Sequence, residues 1–295
     1  MRIFHRYVIL NGDQSLFRAL EMAAIPHALD RKQFGDLISV TGEFFLYEDD
    51  PLFASKRDAV APFGLFSREG TEFSPQERES AEWNLVHVGQ QGYPLPEDTW
   101  FEHSYRAETS CKTCGCAEEQ VAPFRFRSEP KAKHSQFLGL NWVFDAIFVR
   151  DAAKVLLERE GVAGIRFTRP LLHRTGRPLE SVWQMEVATV LPPGLQTTNV
   201  KLEPCDHSAG SSVGGAVTRL STGPFCQRRR FNYPTRGMMT FSRSAFEGVL
   251  DVVRCREWFG SGGSASRPVL VSRRVKRLIE EARLRGAVFV PIGLV

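Results

Sequence analysis

Three cysteines crowd into six residues, Cys111-Lys112-Thr113-Cys114-Gly115-Cys116. The first two form a C-x-x-C knuckle. Two intervening residues let both thiolates face one ion, and Gly115 permits the tight turn behind them. A structural zinc takes four ligands, so a second pair is needed. In a compact zinc ribbon that pair follows roughly 15–20 residues later. Here 90 residues separate Cys114 from Cys205, and 20 more separate Cys205 from Cys226. The candidate metal ligands are therefore Cys111, Cys114, Cys205 and Cys226, assembled from across the domain, with Cys116 and His207 as spares. Cys255, flanked by Arg254 and Arg256, reads as an ordinary thiol.

Catalytic patterns do not emerge beside this cluster. Pro204-Cys205-Asp206-His207-Ser208 has Ser208 where a nucleobase deaminase would carry its last cysteine, and the H-x-E of those enzymes is absent. The helical H-E-x-x-H of zinc proteases and the G-x-S-x-G nucleophile elbow are also missing. Gly260-Ser261-Gly262-Gly263-Ser264 is glycine-rich without the G-K-[ST] ending of a phosphate loop, and reads as a connector. The expectation is a binding protein and not an enzyme.

A basic-aromatic run, Arg228-Arg229-Arg230-Phe231-Asn232-Tyr233-Pro234-Thr235-Arg236, suits nucleic acid, with arginine on phosphate and aromatic rings on bases. Arg273, Arg274, Lys276 and Arg277 could extend the same face. The preferred reading is that these cations are solvated or pair with an acidic surface, including the chain's own N-terminal part.

The elements that must position these residues read as an α+β chain. Residues 1–68 form a small β-α-β-β-α module: a strand over His5–Leu10, a helix over Leu16–Ala24 ended by Ile25-Pro26, strands over Leu37–Val40 and Glu43–Tyr47, and a helix from Pro51 to about Ala61. The pattern suits half of a ferredoxin-like unit. Residues 69–82 are polar and turn-rich and read as a linker. Residues 83–295 form a larger mixed α/β domain opening with a strand over Trp83–Val88.

Within that domain lies a weak internal repeat. Ile147–Pro170 slides onto Val269–Ile292 with an offset of 122, giving six identities in 24 positions, among them Val149/Val271, Lys154/Lys276 and Gly164/Gly286. Each copy reads strand, helix, glycine, strand. In the second copy Ser272 is placed to cap a helix whose apolar face is Val275, Leu278, Ile279 and Ala282.

At 295 residues, with 42% hydrophobic and 24% charged content, the chain is long enough for about two domains with cores of their own. This argues against a disordered, collagen-like or disulfide-stapled chain. The net charge of +4 hides a split: residues 217–295 carry 15 basic and 5 acidic groups, and the remainder is net acidic. Thirty of the 38 basic residues are arginine. The N-terminus has charges within its apolar run and reads as a strand, not a signal peptide. The apolar stretch Phe137–Val149 is too short to span ~30 Å of hydrocarbon. The expectation is a cytoplasmic protein with no membrane partner, in which cysteines serve as metal ligands or buried thiols.

Gly92-Tyr93-Pro94, the knuckle Cys111-x-x-Cys114-Gly115, Glu257-Trp258-Phe259-Gly260-Ser261-Gly262, Val269-Leu270-Val271-Ser272 and Leu284-Arg285-Gly286-Ala287-Val288-Phe289-Val290-Pro291 together resemble the double-CXXCG-motif proteins of bacteria. The resemblance covers roughly residues 83–295. Of the family's second C-x-x-C-G only Cys226 remains, within Gly223-Pro224-Phe225-Cys226-Gln227. The resemblance implies an immunity-type protein that neutralises a cognate toxin by binding it, with a structural zinc. The alternative reading is a zinc-containing nucleic-acid-binding protein.

Overall fold

The computed structural model describes residues 1–10, 14–34, 37–111, 114–117, 119–131, 134–205, 228–260 and 265–295. It is an α+β protein that divides into two units, Met1–Ser80 with Pro234–Met238, and Ala81–Tyr233 with Met239–Val295.

The first unit runs β1 (Arg2–Ile9), α1 (Gln14–Met22), β2 (His27–Phe34), β3 (Leu37–Tyr47), α2 (Phe53–Val60), β4 (Phe66–Glu72) and α3 (Pro75–Ser80). Its strands stand in the order β2-β3-β1-β4, every neighbouring pair antiparallel. This is the complete ferredoxin-like β-α-β-β-α-β arrangement. The helical spacing read from Leu16 and Leu20 is real, since both are buried with Ile9, Phe44 and Leu46.

The expected linker over residues 69–82 is a correction. Those residues hold most of β4 and the whole of α3. Gly70, a turn signal in sequence, lies opposite Phe4, and a Cβ there would meet the Phe4 ring at 2.3 Å. The ring covers the glycine. Ser74 and Glu77 form a reciprocal capping box: Ser74 N donates to Glu77 Oε2 at 2.8 Å and Glu77 N to Ser74 Oγ at 3.2 Å.

The second unit opens with β5 (Trp83–Val88), α4 (Trp100–Ser104), β6 (Arg125–Phe126), β7 (Phe137–Leu140), β8 (Val143–Val149), α5 (Asp151–Arg159), β9 (Ile165–Thr168), β10 (Leu171–Leu172) and β11 (Trp183–Val187). It continues through β12 (Leu202–Pro204), β13 (Arg229–Phe231), β14 (Thr240–Phe241), β15 (Val252–Arg254), β16 (Trp258–Phe259), β17 (Val269–Ser272), α6 (Arg273–Glu281) and β18 (Ala287–Leu294). Among the described residues its main sheets are β7-β8-β11-β9 and β14-β18-β5-β17-β15. No described helix is long and apolar enough to cross a membrane.

The two strand-helix-glycine-strand segments are built alike. In one, β8 and β9 flank β11; in the other, β17 and β18 flank β5, all antiparallel. Gln184 of β11 faces Phe148 and Thr168, while Leu85 of β5 faces Leu270 and Val290, so both neighbours differ by the same 122 positions. Each copy also accepts a bond from the strand paired beside the other, β15 next to β17 and β7 next to β8. Val252 N donates to Ala163 O at 3.1 Å, and Phe137 N to Arg285 O at 3.3 Å. Both α5 and α6 bury one face in a shared core that includes Val149, Leu157, Val271 and Ile279. Burying each such side chain contributes about 1.5–3 kcal/mol. Ser272 caps α6 by accepting from Val275 N. Lys276, absent from the expected apolar face, is buried on that helix and reaches Glu280 at 3.7 Å.

Candidate metal centre

Cys111 N donates to Cys116 O at 2.8 Å, and Gly115 N donates to Cys111 O at 2.8 Å. Gly115 sits at φ +72°, a conformation that glycine adopts without a Cβ penalty. The knuckle is thus a tight turn whose backbone is bonded internally. Ala265 N adds an anchor by donating to Cys114 O at 3.0 Å.

The third thiol arrives from far along the chain. Cys205 directly follows β12, which pairs antiparallel with β13, and β13 in turn pairs parallel with β16. The sulfurs of Cys111, Cys114 and Cys205 all lie within 4.8 Å of one another, and Cys111 Sγ is 3.8 Å from Cys205 Sγ. All three are buried, in a cluster completed by Cys116, Trp258 and Ala265. Four thiolates at about 2.3 Å from a tetrahedral zinc lie about 3.8 Å apart. The thiols present therefore fit one face of such a site. Hydrogen bonding to Cys116 and then burial push the Cys114 thiol well above its usual range. A bound cation favours the thiolate and reverses that direction.

The structure brings together three of the four sequence-derived ligands. Cys226, the fourth, and His207 lie outside the described residues. Cys116 lies in the same buried cluster, though not within the close triplet. Cys255 is elsewhere, buried in a second core, with its Sγ donating to Glu257 Oε2 at 3.0 Å.

The basic-aromatic run divides its duties. Phe231 and Tyr233 turn inward against Phe259, with centroid distances of 6.0 and 4.9 Å. Arg228 donates to Thr109 O at 3.0 Å, and Arg230 to Gly260 O at 3.2 Å. Arg236 makes a two-pronged pair with Glu48 at 2.7 and 2.6 Å inside the first unit, where acidic N-terminal residues were expected to receive such cations. On α6, Arg274 pairs with Asp251 at 2.7 Å.

Sequence reasoning missed a cavity of about 850 Å³ in the second unit, whose lining includes Arg228, Arg254, Arg267 and Trp258. Arg228 and Arg229 come from the basic-aromatic run, while Arg166, Arg254, Arg256 and Arg267 are spread over about a hundred residues and share no motif. Beyond that run, the Arg-over-Lys bias was the trace they left in the sequence. No protein-family model matches this chain, and no curated protein matches it.

Proposed function

We propose that this chain is an immunity-type protein of the double-CXXCG kind, which neutralises a cognate bacterial toxin by binding it directly. The observation that carries the reading is the meeting of Cys205 with the Cys111–Cys114 knuckle under Trp258. Several residues that carry the family resemblance help to build this point and the five-stranded sheet. Trp258 belongs to the Glu257–Gly262 motif, and the stretch Leu284–Pro291 supplies most of β18, which lies beside β5.

Zinc is the metal best suited to a closed set of buried thiolates. Cys111, Cys114 and Cys205 would hold it, with Cys226 as the fourth ligand. When bound it supplies a cross-link between the knuckle and the end of β12, and no chemistry on a substrate. The chain's own residues do the binding. The basic C-terminal part favours an acidic partner surface and speeds its capture, since charge complementarity acts chiefly on the association rate.

Two measurements test this together. Co-expression with the product of the adjacent toxin gene is expected to give a stable complex, and a neighbour that is not a toxin and is not bound would end the proposal. Elemental analysis is expected to give one zinc per chain, lost in Cys205→Ser. Zinc retained in that variant would remove Cys205 from the ligand set.

A further inference from the structure

The 850 Å³ cavity of the second unit is strongly cationic. Among the described residues, its lining holds six arginines against three acidic groups and no lysine. The acids are already engaged. Glu186 receives Arg166, Glu119 is held by Arg106 from outside the lining, and Asp145 accepts from both Arg254 Nη1 at 3.4 Å and the Arg267 backbone N–H at 3.1 Å. Arg229 and Arg256 are exposed and make no ion pair among the described residues. Arg254 Nε is buried without a hydrogen-bond partner among the described residues. Leaving a buried, charged donor without an acceptor is costly, so this group is poised for one.

The type of cation narrows the ligand. A guanidinium offers a planar fork that matches phosphate oxygens two at a time. Size narrows it further. The cavity falls within the roughly 300–1,000 Å³ of small-molecule sites, whereas a protein partner needs an open face of about 800 Å². Trp258 gives the cavity a rigid wall, since it also packs against the buried cysteines and carries Arg267 over its ring at 4.9 Å.

We propose that this cavity binds a small phosphate-bearing anion of the size of a nucleoside di- or triphosphate, with Arg229 and Arg256 at its exposed side and Arg254 and Arg267 deeper. This binding is separate from toxin capture and does not depend on it. The test is calorimetric titration of the full-length protein with pyrophosphate and with ATP at low ionic strength. Saturable one-to-one binding is expected for both. Arg229→Gln and Arg256→Gln should each weaken it about tenfold, the worth of one charge-assisted hydrogen bond. Arg159→Gln, an exposed change on α5 away from the cavity, should leave binding unaltered, and circular dichroism verifies that all three variants are folded. No saturable heat with either probe, or equal weakening by Arg159→Gln, would overturn the proposal.

Discussion

Gly164 and Gly286 are equivalent residues in the two copies, and each lies against a backbone carbonyl of the strand paired with the other copy's first strand. A Cβ on Gly164 would meet Val252 O at 2.2 Å, and one on Gly286 would meet Phe137 O at 2.4 Å. Both sit at positive φ, +96° and +106°. Gly286→Ala should therefore destabilise the protein by at least about 2 kcal/mol, combining a strained backbone with a displaced strand. Gly64 is the control, at φ +58° with nothing within 4 Å of where a Cβ would stand, so Gly64→Ala should cost only the backbone part. Equal losses in urea unfolding would show that the carbonyl contact is unimportant. At this scale the sequence was partly legible. The knuckle was readable because its ligands are local and its glycine has a stated purpose. Cys205 could be named by type but not placed, because its position depends on a strand pairing about ninety residues downstream of the knuckle. Of the cavity arginines, Arg228 and Arg229 were legible within the basic-aromatic run, but the others were not, since no spacing ties Arg166 to Arg254.

Helix ends show how one copy of the repeat informs the other. At the end of α5, Gly161 adopts φ +61° and Val162 N donates back to Leu157 O at 3.0 Å. At the end of α6, Arg283 occupies the same place at φ +54°, with Leu284 N donating to Ile279 O at 3.1 Å. A left-handed residue with a Cβ pays about 1–2 kcal/mol, which glycine avoids at the expense of some unfolded-state entropy. Arg283→Gly should thus raise stability by up to about 1 kcal/mol, read as a higher urea midpoint with an unchanged slope. A lower midpoint would mean that the Arg283 side chain contributes more than its backbone loses. The strand-helix-glycine-strand pattern was visible because period and punctuation agreed. β2 and β4 were not. β2 carries Asp30, Arg31, Lys32 and Gln33, a polar run that an edge strand tolerates and that pattern reading discounts. β4 contains Gly70, whose missing side chain is replaced by a ring from the neighbouring strand. Ser74-x-x-Glu77 was a legible helix signal masked by the polarity around it.

For the whole molecule, separate cores predict separate behaviour. The first unit has its own cluster around Leu20 and Phe44, while the second holds the shared core of the repeats and the buried thiols. Acid should act on the first unit through Glu48. Hydrogen bonding from Arg236, followed by the contact with His5, holds its carboxyl below its ordinary value of 4.5. A depressed carboxylate contributes stability that is present above that value and is lost as the pH falls through the lowered one. Glu48→Gln should therefore flatten the pH dependence of the first unit's melting below about pH 4.5, with the effect shrinking in high salt because the pair is exposed. An unchanged pH profile would show that Arg236 does not stabilise this unit. The opposition of an acidic N-terminal part and a basic C-terminal part was plain from composition. Which cation would cross to which acid was not, because Arg236 reaches Glu48 only through the tertiary course of the chain.

The placement of β5 also carries a consequence for biosynthesis. This strand lies between β17 and β18, which follow it by roughly 180 residues, and both of its edges stay open until they emerge. At about 5–20 residues per second, the ribosome leaves β5 unpaired for tens of seconds. Such an apolar strand is exposed to misdirected pairing during that wait. The ferredoxin-like strands are complete by Glu72, but its companion segment Pro234–Met238 is also made late. Nascent chains stalled before β17 should therefore be the aggregation-prone population, and a ribosome-bound chaperone has its longest opportunity on the interval between Val88 and Val269.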